Sequence, residues 1–285
     1  MTINATRPSR GIAAVGKCAL AALLVVCATA SPSRADGWPD KVTGRYKVTF
    51  NGIEIGRFNF QSTADARGYS LTANAKLSVL LGAFKWSGVS SGSGSFRGSD
   101  PKPADYTFDF KANSKTGSVK MGFNSAGVAD ATVEPPAKIR KDTVPLQDKH
   151  MKGVLDPLSA VLALSRGRPG NPCGQTIEIF DGKQRFDLVL SPKGQRRINE
   201  AKPSGEPETA YICGVRYVPI AGHRDNKDSQ KLAAMTGIEI ALRPIPSANI
   251  LVPYQVTVPT FGGNAVITSE RVQITMGEKQ IALFH

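Results

Sequence analysis

The chain has 285 residues, with 36 Lys and Arg against 23 Asp and Glu, for a formal charge of +13. With 41% apolar residues it is long enough to bury a sizeable core, which excludes a disordered or fibrous chain. Three histidines and four cysteines leave little from which to build a metal centre.

The first thirty-five residues read as a secretory signal: a basic start with Arg7, Arg10 and Lys17, an apolar run from Cys18 to Ala30, and the small-residue site Ser33-Arg34-Ala35. Cleavage is expected after Ala35, which gives a periplasmic location. The apolar run falls short of the ~20 residues that span a bilayer, and no later segment is apolar enough to cross one. Losing Arg7, Arg10, Lys17 and Arg34, with no acidic residue, takes the formal charge from +13 to +9. Outside the cytoplasm such a charge favours lipid or lipopolysaccharide phosphates as partners, and not nucleic acid, although a basic surface also serves solubility alone.

Signal removal leaves two cysteines, Cys173 and Cys213, in a compartment where thiols are oxidised, so a disulfide is expected. Their wide separation is unlike the C-x-x-C spacing of redox sites and predicts a structural bond.

Strand signals dominate the first half. Tyr46, Val48 and Phe50 alternate with Arg45, Lys47 and Thr49, Asn51-Gly52 supplies a tight turn, and Ile53 and Ile55 resume the pattern. At Gly56 the apolar set changes phase toward Phe58 and Phe60, as one extra residue at a bulge would produce. Similar runs follow at Tyr69–Ala75, Tyr106–Phe110 and Val119–Phe123. Gly88–Gly98, rich in Gly and Ser, suits either a closely packed strand or a flexible loop.

From Val133 to Pro145 a Pro-rich, basic stretch reads as a surface crossing. A helix follows, capped by Asp156 with Pro157 in its first turn, and Val154, Leu155, Leu158, Val161 and Leu162 form its apolar stripe. Gly167 and Pro169 end it. Asp181-Gly182 joins a second hairpin, Ser191 to Pro207 reads as a polar loop, and strands return at Tyr211–Val218, Gly237–Leu242, Leu251–Val258 and Ala265–Met276.

Roughly a dozen strands and one helix predict an all-β fold with an inserted helix: a large curled antiparallel sheet, an open barrel or β-spiral, wrapped around that helix. The expected organisation is one domain over 36–285, its halves 40–134 and 153–285 joined by the basic crossing. A closed membrane barrel is disfavoured because the strands are short and rich in Lys and Arg.

These landmarks resemble a bacterial periplasmic family of exported β-rich proteins, DUF3108. The resemblance rests on Gly44-Arg45-Tyr46-Lys47-Val48 with Ile55-Gly56, Gly153-Val154-Leu155-Asp156-Pro157-Leu158-Ser159-Ala160, Phe180-Asp181-Gly182-Lys183 with Phe186, and Leu251-Val252-Pro253. Asp-Pro-Leu-Ser is its most specific part. The resemblance implies a sheet wrapped around a helix or an apolar ligand and brings no catalytic residues.

Gly88-Val89-Ser90-Ser91-Gly92 matches the nucleophile-elbow pattern but lacks the helix that must follow the serine. His223-Arg224-Asp225 lacks every companion motif of a kinase loop and reads as a solvated turn. His150, His223 and His285 are too scattered for a zinc site, and Asp148 and Asp156 have no signal that pairs them as acid and base. No catalytic residue, metal or cofactor is expected.

The leading expectation is a non-catalytic envelope protein that binds an amphipathic or anionic molecule, lipid or lipopolysaccharide. Leu155, Leu158, Val161 and Leu162 would line its cleft, and Arg140 and Lys141 would meet its charge, against the plainer reading of a core helix and a solvated face. The alternatives are an envelope-polymer hydrolase and an interaction protein that docks onto an envelope assembly through strand edges. An open apolar cleft distinguishes the first reading from the polar, carboxylate-lined cleft of a hydrolase.

Overall fold

The computed structural model describes residues 38–79, 82–167, 170–260 and 262–285. The expected signal segment and its cleavage site lie outside the described residues, as does Pro169.

Seven strands come first: β1 (Lys41–Phe50), β2 (Ile53–Asp65), β3 (Gly68–Val79), β4 (Phe84–Arg97), β5 (Asp100–Ala112), β6 (Lys115–Asn124) and β7 (Gly127–Glu134). Helix α1 (Pro157–Arg166) follows, then β8 (Thr176–Phe180), β9 (Arg185–Arg197), β10 (Thr209–Ala221), the short helix α2 (Lys227–Ala233), β11 (Glu239–Ile245), β12 (Ile250–Thr260), β13 (Gly263–Met276) and β14 (Lys279–Phe284). All fourteen strands lie in one antiparallel sheet, in the order β7-β6-β5-β4-β3-β2-β1-β13-β12-β11-β10-β9-β8. The flank of β13 that faces away from β1 forks: Gly263–Thr268 pairs with β12, and Arg271–Met276 pairs with β14.

The sheet does not close, because β7 and β8 stand at its two ends. It curls until they approach, and the chain leading into α1 spans the seam. Lys152 bridges to Gly127 at the β7 end, while Leu155 bridges to Ile179 and exchanges backbone hydrogen bonds with Glu178 and Phe180 of β8. Phe180 thereby joins Val119 and Met121 of β6 in one apolar cluster.

The helix sits inside this curl, against β3, β4 and β5 on one side and β8 and β12 on the other. Leu158 and Leu162 pack with Tyr69, Leu71, Tyr106 and Phe180, and Ala160 packs with the buried disulfide, Ile177, Leu242 and Leu251. One short helix thus supplies both halves of the sheet with a common core. Asp156 starts it, its Oδ1 accepting from the backbone N–H groups of Leu158 and Ser159 at 2.9 and 3.0 Å, and Gly167 ends it at φ 62°.

Local sequence signals explain most elements. Asn51 and Gly52 take φ 48° and 82°, the pair of positive angles a two-residue primed turn requires. The phase change near Gly56 is a bulge: Val48 pairs with Gly56 and Thr49 with Glu54, which leaves Ile55 as the extra residue. Gly88–Gly98 lies almost wholly within β4, so it is strand.

Four expectations need correction. Val154 and Leu155 precede α1 as extended chain, because Asp156 is the cap. The polar stretch after Ser191 continues as β9 to Arg197, paired with β10. Asp181-Gly182 is not a two-residue turn: Asp181 Oδ1 accepts from the N–H groups of Lys183 and Gln184 in a longer Asx-type loop. His223-Arg224-Asp225 is a clamp, since Arg224 donates to both carboxylate oxygens of Asp142 and Thr143 forms a bridge to Arg224, which holds the basic crossing to the end of β10.

Candidate functional site

Residues directly opposite in an antiparallel ladder point to the same side of the sheet, so the register sorts side chains into inner and outer rows. The inner row Ser62–Leu71–Gly92–Tyr106–Met121 lies beneath α1, where the Tyr69 hydroxyl is 2.8 Å from Ser159 Oγ. Moving toward the far end of the strands, the next rows are Phe60–Ala73–Ser90–Phe108–Val119, Phe58–Ala75–Gly88–Phe110–Gly117 and Gly56–Leu77–Trp86–Ala112. Leu77 lies about 20 Å along β3 from Leu71, beyond the core that α1 fills.

That far end carries an aromatic pavement. The rings of Trp86 and Phe108 are 6.3 Å apart and those of Phe108 and Phe110 are 5.7 Å apart, at interplanar angles of 35° and 23°. A Cβ on Gly88 would come within 2.6 Å of the Trp86 ring and 3.0 Å of Phe108, and one on Gly117 within 2.6 Å of Phe110. The rings therefore lie down over glycines and turn their other faces to the interior of the curl. Phe58, Leu77, Trp86, Phe108 and Phe110 are all half-buried, unlike the sealed residues around α1. This is an open apolar surface inside the sheet.

The outer side of the same end is basic. One row runs Lys47–Arg57–Lys76–Ser87–Lys111–Thr116 across six strands, with Lys85 in the neighbouring row opposite Ser78. Arg57 pairs with Glu54 at 3.1 Å, whereas Lys47, Lys76, Lys85 and Lys111 have no ion-pair partner among the described residues. Like charges directly opposed on neighbouring strands destabilise a sheet, so Lys47, Arg57 and Lys76 in succession work against the fold. Lys76, Lys85 and Lys111 line a hollow of about 560 Å³ together with Leu77 and Trp86 of the inner rows, so the basic side and the pavement meet at this rim.

Two asparagines fix the hairpin tips at this end. Asn51 donates through Nδ2 to the Gly262 carbonyl at 2.8 Å and accepts at Oδ1 from the Asn264 N–H at 3.0 Å, joining the β1–β2 tip to the β12–β13 tip. Asn113 accepts at Oδ1 from the Lys85 N–H at 2.8 Å, and its own N–H donates to the Lys85 carbonyl at 2.9 Å, joining the β5–β6 tip to β4. Both sit at positive φ, 48° and 51°, which asparagine tolerates better than other side-chain-bearing residues.

The residues singled out from sequence are not brought together. Leu158 and Leu162 are buried in the core, Val161 is half-buried on α1, and Leu155 packs at the seam. Arg140 and Lys141 are exposed on the basic crossing. Cys173 and Cys213 are bonded, with Cα atoms 5.2 Å apart and both side chains buried. Ser90 sits in mid-strand and donates to the Thr107 carbonyl at 2.9 Å, with no elbow around it. Asp148 is exposed while Asp156 is buried beneath the helix. Among the described residues no group of three or more His, Cys, Asp and Glu is placed to hold a metal ion, and no helix is long and apolar enough to cross a membrane.

Sequence reasoning missed the pavement and the basic row because their members are far apart in the chain. It also missed a buried network: Arg243 and Glu200, with side chains 0% and 2% exposed, meet at 2.6 Å, and Arg243 continues to His285 Nε2 at 2.8 Å.

The fold matches that of a crystal structure described as a beta-barrel-like protein of domain of unknown function DUF1849 from Brucella abortus, with a TM-score of 0.53 and 12% identity over 83% of this chain and 98% of that one. At that identity the likeness concerns the fold alone. No curated protein matches the chain. The model of the family described as protein of unknown function (DUF3108) matches residues 45–229, which run from within β1 through β10 and include the Asp156-Pro157-Leu158-Ser159 cap, and the chain belongs to that family.

Proposed function

We propose that this protein is an exported, non-catalytic envelope protein that binds an anionic amphiphile, with its apolar chain on the Trp86–Phe108–Phe110 pavement and its charged head at the lysine rim. The observation that carries this reading is the partly buried aromatic surface inside an open sheet, ending where Lys76, Lys85 and Lys111 gather. Apolar surface left open inside a curl, rimmed by cations with no ion-pair partner among the described residues, fits a ligand with one greasy part and one acidic part. The buried Cys173–Cys213 bond supports an oxidising compartment as the place of work.

Calorimetry with a lysophospholipid below its micelle concentration tests the reading. An anionic lysophosphatidylglycerol should bind more tightly than zwitterionic lysophosphatidylcholine of equal chain length. Phe110→Ala should weaken both, and Lys76→Glu with Lys111→Glu should erase the preference between them. Equal, weak binding of both lipids to protein and variants alike contradicts the reading.

A further inference from the structure

The hairpin tips at the open end present apolar side chains to solvent. Ile53, at the start of β2, is 71% exposed, and Phe84, at the start of β4, is 40% exposed. By register both lie at the same end of the sheet, two strand spacings or roughly 10 Å apart. Ile53 pairs with Phe50 and Phe84 with Val79, so both side chains continue the inner rows in the outermost described rungs, at the rim of the curl.

Basic residues outnumber acidic ones at the rim. The outermost segments 47–57, 76–87 and 111–116 hold Lys47, Arg57, Lys76, Lys85, Lys111 and Lys115 against Glu54, which Arg57 already occupies, and Asp109 and Glu134 come one row further in, toward the β7 edge. The tips are also held in place. Asn51 ties the Ile53 hairpin to β13, and Asn113 ties the Phe84 strand to the β5–β6 turn, so docking orders little further backbone.

We infer that this end is a membrane-docking surface: Ile53 and Phe84 enter the headgroup–acyl boundary of an anionic phospholipid bilayer while the lysine rim lies against its phosphates. Shallow insertion of apolar side chains beneath a ring of lysines is the arrangement that binds interfaces without spanning them. The inference rests on the proposed ligand reading, since it places the mouth of the aromatic pavement on the surface from which an amphiphile would enter or leave.

Sedimentation with vesicles tests it, using phosphatidylglycerol mixed into phosphatidylcholine against phosphatidylcholine alone. The protein should pellet with the anionic vesicles at low salt, release as salt rises, and ignore the neutral ones. Ile53→Ser with Phe84→Ser should lower vesicle binding about tenfold or more, leaving soluble lysophosphatidylglycerol binding and the circular dichroism spectrum unchanged. Undiminished vesicle binding by that variant overturns the docking inference. So does a protein that binds the soluble lysolipid but no vesicle, which leaves the ligand reading standing, whereas failure to bind either one removes both.

Discussion

Asn113 holds Lys85 from both sides of the backbone: its Oδ1 accepts from the Lys85 N–H at 2.8 Å, and its N–H donates to the Lys85 carbonyl at 2.9 Å. It does so at φ 51°, where an alanine is strained and a glycine is not. Asn113→Gly should therefore cost only the side-chain hydrogen bond, on the order of 1 kcal/mol, and Asn113→Ala should cost about 1 kcal/mol more. Denaturant midpoints separate the two, and equal stability of both variants would show that the backbone angle carries no strain.

Asp156 is buried, and while its Oδ1 caps α1, its Oδ2 has no hydrogen-bond partner. Burial pushes its pKa up, more strongly than the cap hydrogen bonds pull it down. A carboxyl whose folded pKa is raised contributes stability that is present below its unfolded value and lost as pH rises through the folded one. Asp156→Asn keeps a good cap without a charge, so this variant should gain relative to wild type as pH rises toward neutrality. Asp156→Ala should lose about 1–2 kcal/mol with the cap. Parallel stability–pH curves for wild type and the asparagine variant would refute this account of the site.

Arg243 can only donate, so its 2.8 Å contact requires an unprotonated Nε2 on His285 and leaves Nδ1 as the donor to Ser269 Oγ. Burial first and the Arg243 charge second lower the His285 pKa to about 4. With the folded value below the unfolded one, this contribution is whole above pH ~6.5 and drains as pH falls toward 4. His285→Gln should flatten the stability curve across that window. Arg243→Met strands a buried Glu200 and should cost about 3–5 kcal/mol, more than the double replacement of Arg243 and Glu200 by methionine. Thermal melts of the three proteins decide this, and a double variant less stable than Arg243→Met would contradict it.

The Cys173–Cys213 bond closes a separation of 40 residues and joins the chain before β8 to β10. Loop closure of that length stabilises by about 4 kcal/mol on the chain-entropy model. Replacing both cysteines by serine should lower the melting temperature sharply while any folded protein still binds lysolipid. Two titratable thiols in the unreduced native protein would rule the bond out.

The fold was legible where neighbours in sequence are neighbours in space. Tyr46 and Val48 announce their buried face by alternation, Asn51-Gly52 announces its turn, and Asp156-Pro157 announces a helix start, because each signal is local. The end of β9 was not legible, since Lys193 to Arg197 is exposed and is strand only because β10 pairs with it. The candidate site was hidden for the same reason. Lys47, Arg57, Lys76 and Lys111 become neighbours only through the register of four different strands, and Gly88 is a bed for Trp86 and Phe108 only once β4 and β5 are paired. The leucine stripe of α1, the clearest apolar pattern in the sequence, is mostly spent on the core it anchors.

Trp86 gives the most direct measurement of the central claim. The chain has two tryptophans, and Trp38→Phe leaves Trp86 as the only one while keeping a ring to stack on Phe96 at the other end of the strands. Titrating that variant with lysophosphatidylglycerol brominated along its acyl chain should quench Trp86 emission saturably, in proportion to binding measured by calorimetry. Binding without quenching would place the acyl chain elsewhere and contradict the account.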